Sequence, residues 1–144
     1  MDPSATNSLV NSLLIEIHRS LVQYGAEASP WSSDADSELL DRIQDFASKQ
    51  DKSVAEMVDF LRSRKHIVDF GVYPPEYTSL HFVGLGYFLD RMKESQELLL
   101  NDLESAVGQL AGDAEAVKLV ERAIEQNQIV LKSLGEVRLA ATTS

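Results

Sequence analysis

Three glutamines fall within the apolar faces of predicted long helices, where leucine is the usual residue: Gln50, Gln96 and Gln128. Buried amides between packed helices hydrogen-bond with one another or with a polar ligand, and they fix the register of the helices at some cost in stability. The spacing therefore predicts a polar layer halfway along the helices, with Asn127 as a further member. The alternative is that one or more of these side chains lies at the edge of its apolar stripe and reaches solvent.

Three histidines, His18, His66 and His81, suggest a different chemistry, because imidazole is a common ligand of divalent metals. His18 and His81 border apolar stripes, whereas His66 lies at a helix end or in the following linker. A metal site would require all three to meet at one end of the fold. The alternative is that each is an ordinary packed or surface residue.

Apolar residues recurring every three or four positions predict four helices that must position these side chains, over about residues 8–24, 37–64, 79–111 and 114–139. Ser53 to Glu56 has the pattern of a capping box that could start a new helix, but the second helix keeps one apolar phase on both sides of Gln50, which favours a single helix. Gly112 and Asp113 supply a stop and a new cap, so the fourth helix must fold back on the third.

The linker between the second and third helices, His66 to Tyr77, contains Gly71 and the pair Pro74-Pro75, which end helices and favour extended backbone. Its twelve residues at about 3.3 Å each can span roughly 40 Å, close to the length of the preceding helix. The sequence thus predicts one domain over residues 1–144, an all-α four-helix bundle with a long crossover between helices 2 and 3.

Two stretches carry a resemblance to a known superfamily: His18 to Tyr24 with the following Ala28-Ser-Pro-Trp31, and the linker Tyr73 to His81. With these motifs the chain resembles small bacterial proteins of the ferritin-like superfamily, over nearly its whole length. The resemblance implies a ferritin-like bundle. In the active members, four carboxylates and two histidines hold two metal ions, with a Glu-x-x-His unit on each of two helices.

The sequence departs from that ligand pattern throughout, since it contains no Glu-x-x-His. The corresponding units are Gln50-x-x-Ser53 on the second helix and Glu125-x-x-Gln128 on the fourth. Amides lack the negative charge that holds Fe²⁺ or Mn²⁺ tightly. The sequence therefore predicts no di-iron site and no cofactor, and it favours a non-enzymatic role.

Aromatic residues concentrate in and after the linker. One interpretation is that the linker packs its own rings onto the helices; the other is a subunit interface, where aromatics are enriched. The second interpretation predicts a homodimer. The candidate interface residues are Phe70, Tyr73, Tyr77, Phe82 and Tyr87.

Net charge, the length of the apolar stretches and the lack of cysteine limit the classes of function that are expected. The net charge of −10 disfavours nucleic acid, and the longest uncharged apolar stretch is shorter than the roughly 20 residues that a bilayer requires. The lack of cysteine and of a visible secretory signal predicts a cytoplasmic protein without membrane association. The resulting hypothesis is a non-catalytic binding or assembly module. The alternative is a divalent-metal-binding bundle or enzyme that uses His18, His66 and His81.

Overall fold

The computed structural model describes residues 1–28, 37–82 and 84–137, without the side chains of Ser37, His81 and Phe82. Every regular element in these ranges is helical, so the all-α prediction is confirmed. The elements are α1 (Pro3–His18), α2 (Leu21–Ala28), α3 (Ser37–Ser63), a 3-10 helix (Pro75–Phe82), α4 (Leu85–Gln109) and α5 (Ala114–Gly135).

The first predicted helix, residues 8–24, is in fact two helices. It begins earlier, at Pro3, because the carboxylate of Asp2 caps the first turn by accepting from the backbone N–H of Ser4 at 2.7 Å. It then breaks after His18, and α2 starts at Leu21. No glycine or proline marks this break, so the helical periodicity alone did not reveal it.

The other boundaries follow local chemistry. α3 is continuous through Gln50, and it ends where Lys65 adopts a left-handed conformation (φ 58°) and the N–H of His66 donates to the carbonyl of Leu61 at 3.0 Å. α4 begins at Leu85 rather than at residue 79, because the preceding segment coils into the 3-10 helix. The final part of the predicted fourth helix, residues 138–139, lies outside the described residues.

The buried apolar side chains form two clusters. The first, here called the Met57 cluster, unites residues 10–17 of α1, residues 54–61 of α3, residues 99–110 in and just after α4, and residues 116–123 of α5. The second, the Phe46 cluster, unites residues 21–24 of α2, residues 39–47 of α3, residues 88–92 of α4, and residues 130–137 in and just after α5.

Each long helix, and α1 and α2 as a pair, contributes to both clusters, and the order of these contributions along the chain gives the direction of the helix. α3 and α4 both run from the Phe46 cluster to the Met57 cluster, and are therefore parallel to each other. The α1–α2 pair and α5 run the opposite way. Two consecutive parallel helices require a connection that travels the length of the molecule.

Residues 64–74 provide this connection, and they follow the surface of α1 and α2. The amide of Asn11 forms two hydrogen bonds with the backbone of Asp69, at 2.9 and 3.0 Å. Eight residues along, the Nε of Arg19 donates to the carbonyls of Phe70 and Gly71, both at 3.1 Å. The crossover is thus held by side chains of α1 that satisfy its otherwise unpaired backbone groups.

Gly71 occupies the tightest point of the crossover. Its φ of +66° lies in the left-handed region, and a Cβ placed there would lie 2.6 Å from Cγ2 of Ile15. Its N–H donates to the carboxylate of Asp69 at 2.9 Å. Glycine is required here both by the backbone conformation and by the close approach to α1.

Candidate functional site

A network of uncharged side chains lies between the two apolar clusters, and Gln50 is its centre. The Nε2 of Gln50 donates to Oε1 of Gln96 at 3.0 Å and to Oδ1 of Asn127 at 3.1 Å. Its Oε1 accepts from Oγ of Ser20 at 3.2 Å and from Nε2 of Gln23 at 3.1 Å. All four hydrogen-bonding positions of a fully buried amide are therefore used.

The remaining bonds tie the network to the backbone of the helices. Gln96 donates to both the side-chain and the backbone oxygen of Asn127, at 2.9 and 3.1 Å. Asn127 in turn donates to the carbonyl of Ala123 at 2.9 Å, and Gln23 donates to that of Ala47, also at 2.9 Å. These bonds join α2, α3, α4 and α5 at one level, which is how such a layer holds register.

The structure brings Gln50, Gln96 and Asn127 together but leaves Gln128 exposed, so its assignment to the layer was wrong. The buried face of α5 includes Ala116, Ala123 and Asn127, one residue out of phase with the predicted stripe. Successive residues of a helix differ by about 100° in direction, so this single-residue error moves the side chain out of the core. Ala116 and Ala123 mark the buried face of α5, but alanine is a weaker sign of an apolar stripe than the larger residues beside it.

Sequence reasoning missed Ser20 and Gln23, both of which are buried members of the network. Their position depends on the break between α1 and α2, which turns α2 so that consecutive residues 21–25 are all buried. The only local signal was two polar residues next to an apolar run, a pattern equally typical of a solvated helix edge.

The layer cannot supply the charge of a di-metal centre, because every side chain in it is neutral. Ser53, one turn after Gln50, is also buried, and its Oγ has no hydrogen-bond partner among the described residues. Among all the residues that the structure describes, no group of three histidine, cysteine or acidic side chains is arranged to hold a metal ion.

The structure does not bring His18 and His66 together. His66 follows the end of α3, close to Asn7, which accepts a hydrogen bond from Arg64 at 3.4 Å. His18 lies eleven residues beyond Asn7, or about 16 Å of helix. The side chain of the third predicted ligand, His81, lies outside the described part of the structure.

His18 has a packing role. Its ring meets that of Phe70 edge-on, with centroids 5.7 Å apart, and burial lowers the pKa of the imidazole. Contact with the crossover therefore favours the neutral form of His18. Phe70 itself remains partly exposed.

The other aromatic residues divide between the chain interior and the surface. Tyr73 and Tyr77 pack edge-on against Tyr24, with centroids 5.2 and 5.4 Å from it, so these two rings fasten the crossover to α2. Tyr87 is 54% exposed on α4, and the side chain of Phe82 is not among those described. Of the predicted interface residues, only Phe70 and Tyr87 present open aromatic surface in the described structure.

A groove of about 530 Å³ opens between α1, the crossover with its 3-10 helix, and α4. It reaches Ser20, which places its inner wall one hydrogen bond away from Gln50. Its lining is Ile15, Glu16, Arg19, Ser20, Leu21, Val72, Pro74, Glu76, Tyr77, Leu80, Arg91, Glu94, Ser95, Leu98, Leu99 and Asp102. Sequence analysis did not predict this groove, because only the path of the crossover creates it.

A pair of carboxyl groups faces across the groove. Burial, together with a hydrogen bond to Asp102 and the charge of that group, raises the pKa of Glu16 to about 8. Glu16 therefore favours its protonated form at neutral pH, in which it can donate a hydrogen bond to Asp102. A carboxyl group with a raised pKa, next to a second carboxyl group from another helix, distinguishes this part of the groove electrostatically from the rest of the surface.

Comparisons with known proteins identify no relative. Protein-family models, curated proteins and solved structures yielded no significant match to this chain. Within the described ranges, none of the helices combines the length and the apolar character needed to cross a bilayer.

Proposed function

We propose that this protein is a non-catalytic binding module with ferritin-like topology. The main supporting observation is the neutral amide network, in which Gln50 uses all four of its hydrogen-bonding positions. In the proposed topology, this layer takes the place of the metal ligands of active ferritin-like proteins. The order of the helices, with α3 and α4 parallel and joined by a long crossover, fits the same topology. We propose both membership of the ferritin-like superfamily and a four-helix bundle.

The groove is the proposed ligand site. Its volume of about 530 Å³ is within the range of small-molecule sites, and its lining combines apolar side chains with polar and charged ones. Leu98 and Val72 are 64% and 80% exposed at its rim, so an apolar ligand would cover surface that now faces water. A ligand bound here would contact Ser20, and through it the amide layer.

A titration with octan-1-ol, monitored through the NMR amide resonances of Ser95 and Leu98, tests whether the groove binds a ligand. We expect saturable shifts at both residues. Ser95→Phe, which fills the groove, and Leu98→Lys, which charges an exposed rim residue, should each reduce them. Asn101→Phe, an exposed position of α4 outside the lining, serves as the control. Shifts that persist in both groove variants would refute this site.

Metal analysis of the purified protein tests the non-catalytic half of the proposal. We expect iron, manganese, zinc and nickel well below one ion per chain. Stoichiometric metal would refute the proposal. Loss of such metal in His18→Ala, His66→Ala and His81→Ala would establish the alternative, a metal-binding protein that uses the three histidines.

We also propose that the protein is cytoplasmic and forms a homodimer, with Phe70 and Tyr87 as the exposed aromatic contacts. Light scattering should then give twice the monomer mass. Tyr87→Lys should shift the protein toward the monomer, since a buried interface rejects an unpaired charge. A monomer at all concentrations would exclude this assembly.

A further inference from the structure

The groove is acidic. Its lining includes four carboxyl side chains, those of Glu16, Glu76, Glu94 and Asp102, and two arginines. An excess of carboxylates in a concave, partly apolar site attracts a cation, because the low-dielectric walls focus the field.

Both arginines of the groove are already engaged. The guanidinium of Arg91 pairs with Glu94 at 2.7 Å. The guanidinium of Arg19 donates to two carbonyls of the crossover and lies over the ring of Tyr73, 4.9 Å from its centroid. In the described structure neither guanidinium forms an ion pair with Glu16 or Asp102, so no arginine neutralises this pair of carboxyl groups.

Apolar surface adjoins the carboxyl pair. Asp102 and Leu98 are four residues apart on α4, so they are neighbours on the same helix face. Val72 and Leu80 line the same groove from the crossover side. A ligand that fits must therefore carry a cationic head next to an apolar body.

We propose that the groove binds an amphipathic primary amine, with its ammonium group on Glu16 and Asp102 and its alkyl body against Leu98 and Val72. This inference rests on the proposed function, in which the groove is the ligand site. A primary ammonium offers three N–H donors, enough to bond both carboxylates at once.

Binding has a defined proton balance. Before binding, Glu16 is protonated, and the incoming amine is already an ammonium ion. When the ammonium binds between the two carboxylates, the O–H bond of Glu16 breaks and its proton passes to the buffer; no other covalent bond changes. The charged and titratable groups that line the groove with Glu16 are Arg19 just after α1, Glu76 and Tyr77 of the 3-10 helix, and Arg91, Glu94 and Asp102 on α4.

The test compares three ligands of equal chain length on the full-length protein: octylammonium, octan-1-ol and octanoate. Calorimetry at pH 7 should give octylammonium the tightest binding, roughly tenfold tighter than octan-1-ol, as expected for one charge-assisted contact. In two buffers of different ionisation enthalpy, it should also show release of about one proton per amine. Octylammonium affinity should rise from pH 6 to pH 8.5, and octan-1-ol affinity should stay constant.

Two variants locate the cation. Glu16→Gln and Asp102→Asn each remove one carboxylate but keep a hydrogen-bonding group, so octylammonium should bind them no more tightly than octan-1-ol does. Glu97→Gln, an exposed position of α4 outside the groove, is the matched control and should bind like the wild type.

The outcomes separate this inference from the proposed function. Equal binding of octylammonium and octan-1-ol, or preferential binding of octanoate, overturns the amine proposal and leaves the groove as a ligand site. An unchanged amine preference in both carboxylate variants also overturns it. Failure of all three ligands to bind overturns the amine proposal and the groove assignment together.

Discussion

Gln50 on α3 and Asn127 on α5 lie 77 residues apart in the chain, and the Nε2 of Gln50 donates to Oδ1 of Asn127 at 3.1 Å. Gln96 of α4 donates to the same oxygen at 2.9 Å. One buried acceptor on α5 thus joins two other helices. This arrangement makes the layer sensitive to the loss of a single side chain.

Asn127→Ala should lower the free energy of unfolding by roughly 1–3 kcal/mol, because it leaves buried donors of Gln50 and Gln96 without their acceptor. Urea denaturation measures this loss. The neighbouring Gln128→Ala is the matched control; its side chain is exposed, so the change should stay within about 0.5 kcal/mol. Equal losses in the two variants would contradict the assignment of Asn127 to the layer.

Glu16→Gln should alter how stability depends on pH. The pKa of Glu16 is raised from 4.5 to about 8 in the folded protein, so between these values the folded state keeps a proton that the unfolded state has released. Stability of the wild type therefore falls as pH rises through this window. Because Glu16 is only half-buried, we expect about 1 kcal/mol rather than the full linkage value.

Urea denaturation at pH 5, 6.5 and 8 measures the effect of Glu16→Gln, which should be more stable than the wild type at pH 8 and about equally stable at pH 5. Glu97→Gln controls for the loss of one negative charge on the surface. A parallel pH dependence in wild type and Glu16→Gln would show that the carboxyl pair does not form.

Gly71→Ala should destabilise the protein by about 1–3 kcal/mol. Alanine disfavours the left-handed backbone at this position, and its Cβ would overlap the side chain of Ile15. Thermal or urea unfolding measures the loss. Gly108→Ala, within α4 and with no atom close to the new Cβ, should instead stabilise by about 0.5–1 kcal/mol. A neutral Gly71→Ala would mean that the crossover does not follow this path.

Asp113 combines two roles that substitutions can separate. It caps α5 by accepting from the N–H of Ala116 at 3.1 Å, and it accepts two hydrogen bonds from Arg64, at 2.6 and 3.0 Å. Asp113→Ala loses both roles and should cost at least about 1 kcal/mol, whereas Asp113→Ser keeps the cap and should cost less.

Low pH should weaken the same ion pair between Asp113 and Arg64 and lower the stability of the protein. The hydrogen bonds from Arg64 lower the pKa of Asp113, so the ion pair stabilises the folded state above the usual aspartate pKa and this contribution is lost as pH falls. Asp113→Ser should therefore show a weaker loss of stability in acid than the wild type. Identical acid denaturation of the two proteins would argue against the ion pair.

Much of the helical architecture could be predicted because each long helix carries its own apolar period. α3 shows this well, since the phase on both sides of Gln50 is the same and the helix is continuous. Gln50 and Gln96 stood out for the same reason, as polar residues within apolar stripes. Asn127 and Gln128 are adjacent, and only the packing of small alanines on α5 showed which of them points inward.

The sequence by itself determined the local features: an all-helical chain, the cap at Asp113, and the lack of a Glu-x-x-His unit. Tertiary structure alone decided the break after His18, the burial of Gln23, and the pairing of Glu16 with Asp102. The physical reason is the distance along the chain over which each kind of interaction acts. Periodicity and capping depend on neighbours within one or two turns, whereas the amide network and the groove depend on groups that meet only after the crossover has brought distant helices together.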